Sequence, residues 1–213
     1  MKALWEVSGT GVASTKEIAH RLSVSSASVT GMLKRLREMD LVEYERYHGA
    51  SLTEAGCVEA LRLVRRHRLI ETFLREHLGY SWQDVHKEAE SLEHAVSDGF
   101  TERLADLLDH PTHDPHGDPI PAADGSLARD ESWPLSEAKP HQRVSISRVR
   151  NDEDPTLIYL EERMLVPGRV LEVKEVRALD GVVVIEDEDG GEYFLGSPLA
   201  SAIFVESSSK MES

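Results

Sequence analysis

Residues 14–56 limit the fold of this chain more than any other stretch, because helix, turn and hairpin patterns follow one another there without a break. Ser14 followed by Glu17 is a capping-box pattern, which marks the start of a short helix. A turn is expected near residues 23–25, and a second helix follows with an apolar stripe along one face. Two short β-like runs flank residues 47–49 and predict a tight hairpin. This order of elements predicts a winged helix-turn-helix.

The second predicted helix and the hairpin carry side chains typical of a DNA-binding surface. Small and hydroxyl residues allow close approach to the major groove, and the basic residues that follow can neutralise phosphates. A generic helical hairpin with Ser-rich turns is the alternative, but the order, the wing and the local charge favour DNA binding. The residues expected to contact DNA are Ser25, Ser26, Ser28, Thr30, Lys34, Arg35 and Arg37 in the helix, with Arg46 and Tyr47 in the wing.

The charge of the chain is unevenly distributed along its 213 residues. A formal net charge of -15 argues, taken alone, against nucleic acid as a partner. Residues 1–66, however, hold 10 Lys and Arg against 8 Asp and Glu, which leaves 14 against 31 for residues 67–213. The N-terminal part is therefore the only segment suited to a polyanion.

The composition also bounds the location of the protein. The single cysteine, Cys57, excludes an internal disulfide framework and fits a reducing cytoplasm. No run of about 18 apolar residues occurs, and the first residues lack the apolar stretch of a signal peptide. The chain is therefore expected to be cytoplasmic, with no membrane partner.

Two long amphipathic segments follow the predicted hairpin, at residues 57–79 and 82–108. Each has apolar residues on one helical stripe and is predicted to form one helix. A pair of long helices after a DNA-binding module is a common dimerisation device. A two-fold homodimer would present two DNA-binding surfaces to a palindromic double-stranded site.

Residues 86–94, HKEAESLEH, concentrate histidine and glutamate within the second of these helices. On a helix His86, Glu90, Glu93 and His94 fall on one stripe that borders the apolar side. Half-buried carboxylates need a positive counter-charge, and the one basic residue nearby points elsewhere. A divalent metal is the economical counter-charge, since imidazole and carboxylate are metal ligands. Hydrogen-bonded structural residues are the alternative.

A second pair, His67 and Glu71, lies one turn apart on the preceding helix. A lone histidine on an apolar stripe is more often a satisfied core residue, but facing a second His/Glu stripe it is better interpreted as a ligand. The HxxH spacing of His110 and His113 falls between prolines in a loop and indicates a turn more than a metal site.

Clusters of histidine and carboxylate also occur in dimetal hydrolases and oxidases. However, the sequence has no HExxH or paired ExxH motif, no Gly-rich phosphate loop and no nucleophile constellation. A metal site beside a winged helix-turn-helix is better interpreted as a sensor, in which metal selects the DNA-competent geometry. The chain is therefore predicted not to be an enzyme.

From residue 143 to 206 the pattern changes to short β-branched runs with glycine turns, which predict a small β-barrel. The fold class is therefore mainly α with β. The expected boundaries are 1–60 for the winged helix-turn-helix, 61–125 for a helical dimerisation and metal-binding domain, 126–142 for a linker, 143–206 for the barrel and 207–213 for a disordered tail.

Taken together, these motifs resemble the diphtheria toxin repressor family of metal-dependent transcriptional regulators. The likeness covers TKEIAHRLSVSSASVTGMLKRLREMDLVEYERYHGASLTEAG, RRHRLIETFL, VHKEAESLEHAVSD and PHGDPIP, in family order. It implies a homodimer with a winged helix-turn-helix, a helical dimerisation and metal domain, and a Src-homology-3-like barrel related to the FeoA domains of iron transport.

The resemblance also implies which residues bind metal and which metal is sensed. Iron-sensing members carry cysteine at the position of Glu90, whereas manganese-sensing members carry glutamate, because a carboxylate suits the harder Mn²⁺. The chain is therefore expected to be a Mn²⁺-activated regulator of metal-uptake genes; an Fe²⁺-dependent regulator is the alternative and a dimetal hydrolase a remote one. The ligands that carry over are His67, Glu71, His86, Glu90, Glu93 and His94.

Overall fold

The computed structural model describes residues 1–150, 154–177 and 179–208 of the chain. It divides into two compact units. One comprises Met1–His67 with Pro121–Leu127, and the other comprises Arg68–Ile120 with Ala128–Ser213. The division between His67 and Arg68 falls inside one continuous helix.

The first unit contains the predicted winged helix-turn-helix. The capping box at Ser14 and Glu17 is formed in both directions, with Ser14 accepting from the Glu17 amide and Glu17 accepting from the Ser14 amide. Apolar side chains from all its elements share one core, which includes Leu4, Ile18 and Val29. Its elements are α1 (Lys2–Ser8), α2 (Thr15–Arg21), α3 (Ser26–Glu38), β1 (Val42–Glu45), β2 (Gly49–Leu52) and the first part of α4 (Glu54–Leu78).

The wing is a two-stranded antiparallel hairpin in which Val42 pairs with Leu52 and Glu45 with Gly49. Its turn places Tyr47 in the left-handed region, with φ 71°. Gly49 has φ 103°, and a Cβ there would lie 2.5 Å from the carbonyl oxygen of Ala13. The hairpin therefore needs glycine at this position both for its backbone conformation and for its close approach to the backbone of Ala13.

The second unit begins with the rest of α4. The whole helix starts at Glu54, three residues before the predicted span of 57–79. The prediction of one helix over residues 82–108 is wrong, because the chain forms α5 (Val85–Glu93) and α6 (Asp98–Leu107) instead. Ser97 causes the break, since its side chain accepts from the Phe100 amide and caps a new helix. The core between these helices includes Leu69, Ile70, Leu74, Val85, Ala89 and Leu104.

The second unit also contains the predicted FeoA-like, Src-homology-3-like β-domain, but its strands in the described residues form an open sheet and not the closed barrel that was expected. Its six strands are antiparallel in the order β3-β8-β4-β5-β6-β7, so β3 and β7 are the edges of an open sheet in the described residues. The strands and helices are β3 (Trp133–Pro134), β4 (Arg143–Val149), α7 (Asp154–Glu162), β5 (Val170–Val176), β6 (Val183–Asp187), β7 (Glu192–Leu195), α8 (Ser197–Ala202) and β8 (Ile203–Ser207).

Two segments that were expected to lie outside the folded domains contribute residues to the β-domain. Within the stretch 126–142, expected to be a linker, residues 133–134 form β3 and residues 135–137 a 3-10 turn. Of the tail 207–213, Ser207 ends β8, and residues 209–213 lie outside the described part of the chain.

Within the second unit, the β-domain packs against the α4–α5 connection and the loop of residues 110–119. Trp82 is buried in the core of the β-domain, and its indole N–H donates to the Pro115 carbonyl at 2.9 Å. The Val149 amide of β4 donates to the His116 carbonyl at 2.8 Å. These contacts fix the path of the loop beside α4. None of the helices in the described residues combines the length and apolar composition needed to cross a membrane.

Candidate metal centre and DNA-binding surface

Helices α4 and α5 bring three of the predicted ligands together. Nδ1 of His86 lies 2.9 Å from Oε1 of Glu71, across the two helices. His67 lies one turn before Glu71 on the continuous helix α4, which therefore aligns the two side chains. One ligand atom from each of the three residues can be chosen so that all lie within 4.8 Å of one another.

Two members of this group are almost fully buried. His67 is 4% exposed and Glu71 is 2% exposed, while His86 is half-buried. Burying a carboxylate is expensive unless a cation or hydrogen-bond donors compensate it. Two imidazoles and a carboxylate form a donor set that first-row divalent metals accept. The group therefore fits a divalent ion by chemistry and by the spacing of its atoms.

A second group shares Glu71 and adds two residues from the loop of residues 110–119. Ligand atoms of Glu71, Asp114 and His116 also lie within 4.8 Å of one another. The loop is built around Asp114, whose Oδ1 accepts from the amides of His116 at 2.9 Å and Asp118 at 3.0 Å. Glu71 thus belongs to both groups of potential ligands.

Burial and charge set the protonation of this second group. The pKa of Asp114 is raised well above its usual value, first by burial and then by the negative charges of Glu71 and Asp118, which Arg68 only partly offsets. Burial also lowers the pKa of His116. A neutral imidazole keeps the lone pair that a metal requires, and nearby carboxylates favour a bound cation.

The orientation of His116 is fixed by the β-domain side of the loop. Its ring stacks on Trp82 with centroids 5.0 Å apart, and its Nε2 lies 3.2 Å from the Trp82 carbonyl oxygen. A carbonyl can only accept, so Nε2 carries the proton and Nδ1 keeps its lone pair. A hydrogen bond of this kind fixes the tautomer of a metal-binding histidine.

The three remaining predicted ligands lie at the end of α5 and belong to neither group. Glu93 is buried, whereas Glu90 is exposed, with Oε1 3.7 Å from Nε2 of His86. His94 caps the helix and is exposed, with Nε2 3.4 Å from Oε1 of Glu93. The expected half-buried stripe therefore describes His86 and Glu93 better than it describes Glu90 and His94.

The predicted DNA contacts cluster at the exposed side of α3 and at the tip of the wing. Ser25 caps α3 by accepting from the Ser28 amide, and Thr30 donates to the Ser26 carbonyl. Arg46 stacks over Tyr47 in the wing turn, 4.8 Å from its ring centre. The exposed members are Ser25, Ser26, Ser28, Lys34, Arg35, Arg37, Arg46 and Tyr47, and Thr30 is half-exposed.

Asp114 and His116 belong to a group of potential ligands, and the sequence did not predict them. The HxxH spacing of His110 and His113 was interpreted as a turn, and in the structure His110 pairs with Asp106 while Nδ1 of His113 contacts Thr112. The available signal was the D-x-H-x-D pattern of residues 114–118, a short turn that collects polar ligands. Nothing local indicated that this turn would lie beside Glu71.

Three family models match successive parts of the chain. The iron dependent repressor N-terminal DNA binding domain matches residues 1–50, and the iron dependent repressor metal binding and dimerisation domain matches residues 53–122. The FeoA domain matches residues 133–207. These matches follow the order of the observed elements.

Named relatives and solved structures match part or nearly all of this chain. The transcriptional regulator MntR of Geobacillus kaustophilus is 38% identical over 100 residues, which cover 47% of this chain and 70% of MntR. A solved manganese-dependent transcriptional repressor in complex with manganese has a TM-score of 0.89 and 37% identity, covering 97% of both chains. The chain belongs to the iron-dependent repressor family, that of the diphtheria toxin repressor. The iron-dependent repressor IdeR of Mycobacterium leprae is 27% identical over 220 residues, covering 97% of this chain and 94% of IdeR.

As an iron-dependent repressor family member, the chain is a metal-dependent DNA-binding transcriptional repressor and not an enzyme. The dimetal hydrolase considered from the sequence is thereby set aside. A divalent metal is its cofactor, and its DNA-binding and dimerisation domains identify operator DNA and a second copy of the chain as its partners.

Proposed function

We propose that this protein is a manganese-activated repressor that controls metal-uptake genes. The observation that carries the proposal is the buried Glu71 carboxylate, which is close to the ligand atoms of His67 and His86 and also to those of Asp114 and His116. The carboxylates of Glu71 and Asp114 suit a hard divalent ion such as Mn²⁺, and first-row divalent metals also accept the three imidazoles.

The proposed ligands are His67, Glu71 and His86, with Glu90, Glu93 and His94 from the end of α5. Glu90 supports manganese over iron, because it places a carboxylate where a thiolate would favour Fe²⁺. Asp114 and His116, with Glu71, are proposed as a second metal site. A divalent ion bound at each site would supply the positive charge that its carboxylates need.

Residues of α4 and α5 are proposed to couple metal binding to DNA binding. Glu71 on α4 and His86 on α5 hold the two helices at a fixed separation, and Glu90 is close enough to His86 to move toward the same ion. A ligand shifts a conformational equilibrium only by its differential affinity for the two states. We propose that the state with α4 and α5 joined by metal is also the state that binds DNA.

Helix α3 is proposed to enter the major groove of a palindromic operator, one copy from each subunit of a homodimer. The exposed Lys34, Arg35 and Arg37 provide phosphate contacts, and the capped N-terminus at Ser25 and Ser26 faces the bases. Arg46 and Tyr47 reach the flanking backbone. Because its proposed partner is chromosomal DNA, the protein is proposed to act in the cytoplasm.

The test begins with selection of bound sequences from random double-stranded DNA, in parallel with Mn²⁺ and with chelator. Fluorescence anisotropy on the selected sequence then gives the affinity under both conditions. We expect palindromic sequences to be enriched only with Mn²⁺. Equal affinity with Mn²⁺ and with chelator contradicts the proposal. Arg35→Ala, which removes a proposed phosphate contact, should weaken binding and reduce its salt dependence.

Activation by Fe²⁺ is the second candidate, and the similarity to IdeR over nearly the whole chain favours it. Anaerobic titrations of Mn²⁺ and Fe²⁺, each read by DNA affinity, separate the two. Under the leading proposal, Mn²⁺ raises the DNA affinity at a concentration close to its own dissociation constant, whereas Fe²⁺ needs a larger multiple of its own. Glu90→Cys should shift this preference toward Fe²⁺. An unchanged preference in Glu90→Cys assigns selectivity to other residues.

A further inference from the structure

Lys2, the first residue of α1, makes a contact that the proposed function does not use. Its Nζ lies 2.9 Å from Nδ1 of His67, a residue 65 positions away in the sequence. Both residues belong to the first compact unit. The contact joins α1 of the DNA-binding domain to a proposed metal ligand on α4.

The chemistry of this contact fixes the proton on the His67 ring. A lysine ammonium has three donors and no acceptor, so Nδ1 must accept the hydrogen bond through its lone pair. A neutral imidazole then carries its proton on Nε2. In this arrangement neither ring nitrogen of His67 offers a lone pair to a metal.

We infer that Lys2 competes with metal for His67, because its ammonium group must move away from Nδ1 before His67 can bind a metal ion. His67 can bind through Nδ1 only by releasing Lys2 directly. It can bind through Nε2 only after its proton moves to Nδ1, which then cannot accept from Lys2. Both routes break the same contact. The inference rests on the proposed function, because it takes His67 as a ligand.

The contact has a structural consequence for the DNA-binding domain. Helix α1 is tied to α2 by Glu6, whose Oε2 accepts from Nε and Nη2 of Arg21 at 3.0 and 2.9 Å. Leu4 of α1 is buried in the same core as Ile18 of α2. Release of Lys2 from His67 therefore detaches the helix-turn-helix core from one anchoring point on α4, at the step at which His67 becomes a ligand.

The first test measures Mn²⁺ affinity by calorimetric titration of the full chain and its variants. Lys2→Leu removes the ammonium without adding a metal ligand and should bind Mn²⁺ about tenfold more tightly, as expected for loss of a competing charged hydrogen bond. Lys2→Arg keeps a cationic donor and should stay near the wild-type affinity. Lys16→Leu makes the same charge change at an exposed position on α2 and should leave the affinity unchanged.

The second test starts from the metal-free protein and needs one variant, for assignment. Nitrogen–proton correlation spectra of the histidine rings locate the proton of His67 in metal-free protein, with His67→Gln identifying the signals. We expect the proton on Nε2 and a hydrogen-bonded Nδ1. Addition of Zn²⁺, a diamagnetic probe, should remove the signature of the Nδ1 hydrogen bond.

A proton on Nδ1 of His67 in the metal-free protein overturns the inference, as does a Lys2→Leu affinity for Mn²⁺ equal to that of the wild type. An equal tightening in Lys2→Leu and Lys16→Leu also overturns it, because net charge would then explain the effect. If wild-type protein binds no Mn²⁺, the proposed function fails, and the proton position still decides whether Lys2 holds His67.

Discussion

Two aspartates, Asp187 in the β-domain and Asp114 beside α4, are each 7% exposed but are stabilised in opposite ways. Asp187 has a complete set of partners. Its oxygens accept from Arg169 and from the Tyr193 hydroxyl, both at 2.9 Å, and from two backbone amides in the following turn. These partners, led by Arg169, lower the pKa of Asp187 to about 2.

Asp114 accepts two backbone amides as well, but its charged surroundings differ. Arg68 is the nearby cation, with Nε 3.4 Å from Oδ2, and Glu71 and Asp118 add negative charge. The pKa of Asp114 is raised rather than lowered, first by burial and then by these negative charges. Equal solvent exposure of two carboxylates therefore does not mean equal electrostatic surroundings. The β-domain supplies its own counter-charge, whereas the group around Glu71 and Asp114 leaves room for an external cation.

The largest expected effect breaks the group around Glu71. Glu71→Gln removes the one carboxylate common to both sets of ligand atoms, so Mn²⁺ affinity should fall by about 100-fold or more, since loss of even an outer partner costs up to that much. Calorimetric titration measures the change. Asp187→Asn is the matched control, because it alters an equally buried carboxylate in the β-domain and should leave Mn²⁺ affinity unchanged.

Metal addition should stabilise the wild-type protein and reveal the same contrast. At free Mn²⁺ about 100 times its dissociation constant, binding to the folded state alone raises the free energy of unfolding by about 2.7 kcal/mol. Chemical denaturation with and without Mn²⁺ gives the difference. Asp187→Asn should retain the full increase, and Glu71→Gln should lose it. An equal increase in both variants would show that Mn²⁺ binds elsewhere.

In metal-free protein, one substitution should have opposite signs at the two aspartates. Asp114→Asn replaces a carboxyl group whose ionised form is disfavoured first by burial and then by the charge of Glu71. The substitution should therefore raise the free energy of unfolding by about 1 kcal/mol. Asp187→Asn removes the partner of Arg169 and should lower the Tm. Thermal unfolding in the presence of chelator tests both. Destabilisation of similar size in the two variants contradicts the comparison.

The smallest expected effect is a pH dependence specific to Asp187. Its pKa falls from the ordinary 3.8 to about 2 on folding, so the folded state favours the ionised form. The resulting stabilisation is fully present above about pH 4 and is lost as the pH falls through about 2. The difference in unfolding free energy between wild type and Asp187→Asn should therefore shrink across this interval. A constant difference would assign the effect to packing.

Local rules predicted much of the fold from the sequence. The capping box at Ser14, the apolar stripe of α3 and the turn around Tyr47 depend on residues a few positions apart, and each formed as expected. The break between α5 and α6 also has a local cause at Ser97, but the apolar periodicity on both sides of it concealed the new helix start.

The site could be predicted only in part, for the same reason. His67 and Glu71 share a helix, so their spacing indicated one group, and the helical stripe that begins at His86 indicated a second group facing it. The position of Asp114 depends on the path of a loop that is fixed by Trp82 and by the amide of Val149, far away in the sequence. The contact of Lys2 with His67 spans 65 positions and has no signal in either segment.

The central claim is that divalent metal and DNA binding are coupled through the group around Glu71, and reciprocity tests it most directly. Coupling between two ligands must be equal in both directions. We therefore propose to measure Mn²⁺ affinity by titration with and without the selected DNA. The account predicts that DNA tightens Mn²⁺ binding by the same factor by which Mn²⁺ tightens DNA binding, and that Glu71→Gln removes both. An Mn²⁺ affinity that is unchanged by saturating DNA would contradict it.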